Sequence, residues 1–276
     1  MEEIVFLNGR FLPVRQAKIP ISDPGFLLGF GVFETMRSYN NRIVYLEEHL
    51  KRIKESCRLI KIRFSYSLPE LKDTIKRTIK TNNFKDAYVR LTLWKAKKGT
   101  GTLIIVRKYR PHSFQKYKTG FKACISQFSQ NENYLFPHIK TTSFILYRLA
   151  YARAEEGGFD EAIILNNRGY VSEGSRSNIF LVKDNTVFTP SLSSGCLAGI
   201  TRKAIFDLAK IYNIKICEGN FTLRDLHTAD EIFLTNSLMG VMPLTSLEKE
   251  PIAKGSVGRV TKFFMKRYNL LLRNAT

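Results

Sequence analysis

Short, largely apolar runs on either side of turn residues predict two β-hairpins in the first 45 residues. In the first hairpin, Asn8-Gly9 separates two short apolar runs and supplies the positive φ angles that a two-residue turn requires. In the second, Asn40-Asn41 separates residues 32–39 from residues 43–45. The chain therefore opens with antiparallel strands.

The spacing of apolar residues then changes to three and four, which is typical of one face of an amphipathic helix. This spacing predicts helices over residues 46–60 and 68–79, followed by strands at 88–94 and 103–106. The second half of the chain predicts strands at 121–128, 161–165, 178–182 and 231–234, and helices at 141–156, at 201–212 and near the C-terminus. Helices and strands in this mixture indicate an α+β fold.

The length of 276 residues indicates two domains, because single hydrophobic cores stop growing near this size. A polar stretch that begins at Pro111 contains the best candidate for a connection. We therefore predict a small N-terminal α+β domain at 1–112, a linker at 113–119 and a larger C-terminal domain at 120–276.

The charge balance is strongly basic, with 44 Lys and Arg against 24 Asp and Glu and a formal net charge of +20. Such a balance raises nucleic acid or an anionic surface as a partner. The lysines are, however, scattered through every segment and do not gather in one arm or tail. We therefore expect a generally basic, solvated surface and no nucleic-acid partner.

Four cysteines without a C-x-x-C pair suggest neither a zinc site nor a disulfide framework. The acidic start, Met1-Glu2-Glu3, is unlike a signal peptide, and no run is apolar enough to cross a bilayer. We expect a cytoplasmic protein with reduced thiols and no membrane partner. The four histidines are not paired at ligand spacing, so no metal site is predicted.

Common motifs for nucleotides, zinc and serine nucleophiles are missing from the sequence. What stands out is Lys140, which directly precedes a largely apolar helix; alone, such a lysine is usually a solvated charge. Its company changes this interpretation. Four motifs follow one another in the chain: His138-Ile139-Lys140-Thr141, Phe159-Asp160-Glu161-Ala162, Glu173-Gly174-Ser175-Arg176-Ser177-Asn178 and Gly199-Ile200-Thr201-Arg202.

Their order resembles the class-IV aminotransferases, the fold type IV enzymes that depend on pyridoxal 5′-phosphate (PLP). The resemblance extends from Gly31 to Pro243. It implies two domains with PLP in the cleft between them, and a homodimer whose sites borrow residues from the neighbouring subunit. It also implies that Lys140 holds PLP as a Schiff base and moves the substrate proton, while Glu173 keeps the pyridine nitrogen protonated.

The same resemblance implies a cradle for the cofactor phosphate. Arg52 matches the family's phosphate arginine, a residue type suited to this anion. Ile200 and Thr201 open a helix whose backbone amides, with the Thr201 hydroxyl, would complete the cradle. Ser237 is placed like the family's last phosphate ligand, and Asn178 is expected to brace the site.

Substrate contacts are expected from two strands and a turn. Phe33, Thr35 and Arg37 would line the pocket, and Arg90 aligns with an arginine that binds the substrate carboxylate in several subgroups. Asn236 is the remaining candidate for the substrate.

Two departures concern the subgroup. Ile145 stands where branched-chain aminotransferases have a tyrosine that touches the cofactor, which counts against that subgroup. Lys95-Ala96-Lys97-Lys98-Gly99 stands where well-known D-amino acid aminotransferases have an arginine and a histidine.

Three functions remain open at this point. The first is amino-group transfer between a small amino acid and a 2-oxo acid, which we predict because transaminases dominate the family. The second is the aminodeoxychorismate lyase reaction, which releases pyruvate and 4-aminobenzoate; Asn236-Ser237-Leu238-Met239 looks like the corresponding segment of these lyases. The third is a nucleic-acid-binding protein on a degenerate PLP fold, against which the retention of Lys140, Glu173 and Arg52 argues.

Overall fold

A computed structural model describes residues 2–134 and 138–274 of the chain. The chain divides into two compact units. The first comprises Met1–Arg110, Ile139–Phe144 and Leu272–Thr276, and the second comprises Pro111–His138 and Ile145–Leu271. Lys140 is thus counted with the first unit, although the sequence suggested a place in the C-terminal domain.

Six strands form one sheet in the described part of the first unit, in the order β2-β1-β6-β5-β3-β4. Their bounds are β1 Ile4–Leu7, β2 Arg10–Pro13, β3 Gly31–Tyr39, β4 Arg42–Ile43, β5 Ala87–Lys95 and β6 Thr100–Lys108. All pairings are antiparallel. Positive φ angles at Asn8, Gly9, Asn40 and Asn41 confirm both predicted hairpin turns.

Two amphipathic helices, α2 (Leu46–Leu59) and α3 (Leu68–Asn82), pack against this sheet, and a short helix α1 (Pro24–Leu27) lies between β2 and β3 in the chain. Helix α3 begins with a capping box, in which Ser67 and Glu70 each bond the other's backbone amide. The core of the unit joins Val32 and Met36 of β3 to Leu50 and Ile53 of α2. Even-numbered residues of β3 therefore face the helices, and odd-numbered residues lie on the other face.

The second unit contains a nine-stranded sheet among its described residues, with β12-β11-β10-β13-β14-β7-β8-β9 in order and β15 beside β14. The strands are β7 Phe121–Ile125, β8 Glu161–Leu165, β9 Val171–Gly174, β10 Asn178–Lys183, β11 Thr186–Pro190, β12 Ile216–Gly219, β13 Glu231–Asn236, β14 Gly240–Leu247 and β15 Glu250–Pro251. Parallel and antiparallel pairs both occur. Together the two units confirm the α+β class.

The helices of the second unit are α4 Phe114–Thr119, α5 Ile145–Glu156, α6 Ile200–Ile211, α7 Leu223–His227 and most of α8 Arg259–Asn274, whose residues from Leu272 are counted with the first unit. Helix α4 occupies the segment predicted as a linker, because Ser113 caps it through the Lys116 amide. Helix α5 begins four residues later than predicted. Thr141 and Thr142 instead bond the backbone carbonyls of Gly31 and Gly29, which keeps them out of the helix. Within residues 2–134 and 138–274, no helix has both the length and the apolarity to cross a membrane.

Candidate active site

Lys140 lies in a short segment that pairs with the start of β3. The Phe33 amide donates to the Lys140 carbonyl oxygen at 2.8 Å, and the Thr142 amide donates to the Gly31 carbonyl at 2.8 Å. The Lys140 Nζ is 4.9 Å from the Phe33 ring centroid and 5.9 Å from that of Phe144. These two rings meet edge to face, with centroids 5.6 Å apart. Backbone pairing therefore places the amine beside an apolar aromatic surface.

Arg90 joins the same aromatic surface from the neighbouring strand. It pairs with Thr35 in the β3–β5 register, and its guanidinium carbon lies 3.7 Å from the Phe33 ring centroid. The structure thus brings Lys140, Phe33 and Arg90 together, as three of the predicted site residues.

Arg37 has other partners on this face of β3. Its guanidinium carbon is 4.0 Å from the Tyr109 ring centroid, and its Nη2 is 4.0 Å from the Asp86 carboxylate. A substrate role for Arg37 and Thr35 stays a prediction.

Glu34, on the opposite face of β3, is a site residue that the sequence analysis missed. Its fully buried carboxylate accepts hydrogen bonds from His49 Nδ1 and from both Nε and Nη2 of Arg52, each at 2.7 Å. We call these three residues the Glu34 cluster. Burial opposes ionisation of the carboxyl, but the Arg52 charge and the hydrogen bonds outweigh it and lower the pKa of Glu34 to about 2. Arg52, the predicted phosphate ligand, is therefore held in one orientation by an ionised partner.

His49 is the neutral member of the Glu34 cluster. Its burial lowers the pKa of His49, and the charges of Arg52 and Lys140 act in the same direction against the opposing effect of Glu34. At neutral pH its Nδ1–H donates to Glu34. The sequence did carry a signal: Glu34 lies between Val32 and Met36 on the helix-facing side of β3, where a buried acid needs partners.

In the second unit, Glu173 ends a chain of hydrogen bonds. Glu173 Oε1 accepts from the Tyr147 hydroxyl at 2.9 Å, and Oε2 accepts from the Leu197 amide at 3.0 Å and from Asn178 Nδ2 at 3.3 Å. Tyr147 in turn accepts from Gln130 Nε2 at 2.8 Å. Asn178 thus braces Glu173, whereas Tyr147 and Gln130 were missed. Tyr147 shares one face of α5 with the buried Ala150 and Ala154, a spacing from which its inward direction could have been predicted.

The start of α6 adjoins the Glu173 hydrogen bonds. Gly199 caps this helix without a side-chain hydrogen bond, and the first backbone amides of a helix have no partner within it. Ile200 and Thr201 are both buried there. This geometry suits the predicted phosphate cradle, because helix N-termini attract anions.

Gly199 leaves room for the Asn178 side-chain amide. A Cβ at position 199 would overlap Asn178 Oδ1, and Asn178 is fixed by its bonds to Glu173 and to the Leu197 carbonyl. We expect Gly199→Ala to lower the free energy of unfolding by about 1–3 kcal/mol through overpacking, as measured by urea denaturation. Gly219→Ala is the matched control, since its Cβ would meet only the Phe221 ring, at 3.3 Å. Equal losses in both variants would contradict this account.

Asn236 and Ser237 lie at the turn between β13 and β14. Asn236 Oδ1 accepts from the Leu238 amide at 3.0 Å and from the Met239 amide at 2.9 Å, while its Nδ2 donates to the Arg176 carbonyl at 3.0 Å. These bonds shape the turn that carries Ser237. The proposed contacts of Asn236 with substrate and of Ser237 with phosphate stay predictions.

A family model described as amino-transferase class IV matches residues 31–247. The chain belongs to this family. The resemblance inferred from the four motifs is thereby confirmed, and this class IV aminotransferase is an enzyme of a PLP-dependent family.

Two relatives illustrate the similarity in sequence. The putative branched-chain-amino-acid aminotransferase of Methanocaldococcus jannaschii is 32% identical over 274 residues, covering 96% of this chain and 94% of that protein. The aminodeoxychorismate lyase of Bacillus subtilis is 30% identical over 285 residues, covering 98% and 95%. Both reactions considered from the sequence thus have a named relative.

Solved structures confirm fold type IV. The branched-chain amino acid aminotransferase of Escherichia coli superimposes with a TM-score of 0.95 at 26% identity, covering 100% of this chain and 96% of that one. The enzyme of the same name from Thermobaculum terrenum, solved in its PLP form, has a TM-score of 0.89 at 25% identity, covering 100% of this chain and 95% of that one.

Ile145, on which the inference against the branched-chain subgroup rests, is the first residue of α5. In the structure Ile145 is 70% exposed, and the aromatic residue of this segment beside Lys140 is Phe144. The subgroup inferred from Ile145 stays a prediction.

Proposed function

We propose that this class IV aminotransferase binds PLP through Lys140 and transfers an amino group between an apolar amino acid and a 2-oxo acid. The main support is that two cationic groups lie near one ring, that of Phe33. The Lys140 Nζ is 4.9 Å and the Arg90 guanidinium carbon is 3.7 Å from the ring centroid. Amino acid substrates require a group that exchanges with their amine and a cation for their carboxylate. A guanidinium stacked on a ring still presents its in-plane N–H donors to a carboxylate.

The donor groups of the chain fit PLP. When bound, PLP supplies an aldehyde for the lysine amine and a ring that withdraws electrons from the substrate Cα. Glu173 receives hydrogen bonds from Tyr147, Leu197 and Asn178, which favour a carboxylate that can hold a proton on the pyridine nitrogen. Arg52, the start of α6 and Ser237 would hold the phosphate.

Lys140 would also move the substrate proton. With PLP bound, the Lys140 amine would take a proton from the substrate Cα and hold it for return, and would so serve as general base and general acid of the transfer. Its backbone pairing with β3 keeps this amine beside Phe33 in both roles.

An apolar side chain of the donor is supported by the Phe33 and Phe144 rings and by the branched-chain names of several relatives. The second candidate is the aminodeoxychorismate lyase reaction, which the Bacillus subtilis relative favours.

We also propose a cytoplasmic homodimer. The homodimer is supported by an exposed apolar segment of the first unit. Four of its residues are between 60% and 77% exposed: Ile21, Phe26, Leu27 and Leu28. Apolar surface of this kind is typical of an interface with another subunit.

Two reactions on one PLP-loaded preparation test the proposed function. A panel of L- and D-amino acids should convert bound PLP to the pyridoxamine form, with apolar donors fastest, as followed by absorbance in single turnover. Pyruvate release from aminodeoxychorismate, followed with a coupled dehydrogenase, should be negligible. Rapid formation of pyruvate and 4-aminobenzoate with little response to amino acids would instead identify the lyase.

A further inference from the structure

The hydrogen-bond chain Gln130–Tyr147–Glu173 has a direction that follows from its chemistry. A phenol has one proton, and a carboxylate is the better acceptor, so the Tyr147 hydroxyl donates to Glu173 Oε1 at 2.9 Å. The phenol oxygen then accepts from Gln130 Nε2 at 2.8 Å. Each group in the chain therefore donates toward Glu173.

Backbone hydrogen bonds hold Gln130, the residue at the far end of this series of hydrogen bonds. Gln130 is 6% exposed, its backbone amide donates to the Leu165 carbonyl at 2.8 Å, and its backbone carbonyl accepts from the Asn167 amide at 3.0 Å. The Gln130 side chain is therefore held where it meets Tyr147, and the phenol cannot turn away without losing this partner.

Tyr147 keeps its proton in the neutral range. Burial and the negative charge of Glu173 raise the pKa of the Tyr147 hydroxyl well above its ordinary value. The phenol is thus a permanent donor to the carboxylate and not a second acid that titrates with it.

Different elements hold the two oxygens of Glu173. Helix α5 supplies Tyr147 to Oε1, while Leu197 and Asn178, from the segment before α6 and from β10, donate to Oε2. Loss of the phenol would remove one of the donors that hold the carboxylate and stabilise its charge.

We propose that Tyr147 is a positioning residue for the amino-transfer reaction, which fixes the Glu173 carboxylate and keeps the shared proton on the cofactor's ring nitrogen. The inference rests on the proposed function, in which Glu173 is the partner of that nitrogen. With fewer donors, Glu173 would draw the proton toward itself, and the ring would withdraw electrons less strongly. Tyr147 thus acts on the reaction through Glu173 without touching substrate.

The test is Tyr147→Phe, which removes only the hydroxyl, in enzyme loaded with PLP labelled with ¹⁵N in the ring. We expect the ¹⁵N resonance to move toward that of an unprotonated pyridine. The single-turnover rate at saturating donor should fall about 10- to 100-fold, which corresponds to one hydrogen bond to a charged group, with little change in KM. Tyr151→Phe is the control, because Tyr151 lies one turn along α5 and stacks on the Arg176 guanidinium instead. Its ¹⁵N resonance and rate should match those of the wild type.

A second variant, Gln130→Met, tests the same effect independently in case Tyr147→Phe does not fold. Gln130→Met keeps the phenol but removes its donor, and it should move the ¹⁵N resonance in the same direction by a smaller amount. If Tyr147→Phe retains the wild-type resonance and rate while Glu173→Gln changes both, the inference is overturned and the proposed function stands. If wild-type enzyme given PLP forms no adduct that borohydride fixes, both are overturned.

Discussion

Lys140→Ala should lose the PLP adduct that borohydride fixes in the wild type. The variant lacks the amine that condenses with the cofactor aldehyde and the base that moves the substrate proton. We therefore expect the amino-transfer rate to fall by at least about 10²- to 10⁴-fold, the usual contribution of a general acid–base group alone. The measurement is the PLP absorbance band before and after borohydride, followed by mass spectrometry of the peptide that contains residue 140.

Lys210→Ala is the matched control for this experiment. Lys210 is an exposed lysine of α6, so its removal changes the net charge by the same amount at a position in the second unit. The control should keep both the adduct and the wild-type rate. The assignment of Lys140 would be wrong if mass spectrometry found the reduced PLP adduct on another lysine of the wild type. An intact adduct in Lys140→Ala would show the same.

Elements fixed by local chemistry could be predicted from the sequence. The Asn8-Gly9 turn needs only residues that tolerate a positive φ angle, and both residues adopt one in the structure. Helix α3 follows from its apolar spacing and from the Ser67 and Glu70 capping pair. The family motifs likewise indicated Glu173, Asn178 and the start of α6, because each lies in a short, specific run of residues.

Features that depend on distant partners could not be predicted. Helix α5 begins later than predicted because Thr141 bonds the carbonyl of Gly31, which lies 110 positions earlier in the chain. The same pairing assigns Lys140 to the first unit, which no local pattern revealed. The hydroxyl of Tyr147 contacts Glu173, which lies 26 positions later in the chain. Propensity and periodicity indicate the direction of a side chain, but they do not indicate which group it contacts.

Replacement of Glu34 should cost the protein a large part of its stability. Glu34→Ala removes the carboxylate that bonds the Arg52 guanidinium, which is 12% exposed, through two hydrogen bonds and that accepts from His49 Nδ1–H. Removal of one partner from a buried ion pair typically lowers the free energy of unfolding by about 3–5 kcal/mol. Glu47→Ala is the control, because Glu47 is exposed and its ion pair with Lys72 spans 3.4 Å at the surface. Such pairs contribute about 0–1 kcal/mol.

The pH dependence of Glu34→Gln separates the charge of Glu34 from its packing. The pKa of Glu34 is lowered from 4.5 to about 2 in the folded chain, so the unfolded state binds the proton first as the pH falls. The stabilisation is therefore complete above pH 4.5 and is lost as the pH falls toward 2, an effect on the order of 3 kcal/mol. Glu34→Gln cannot titrate, so the gap in unfolding free energy between wild type and variant should narrow across this window. A gap that stays constant from neutral pH to pH 2 would mean that Glu34 is not held as an ion. Arg52 would then lack the charged partner that fixes its direction, and its role toward a phosphate would need another support.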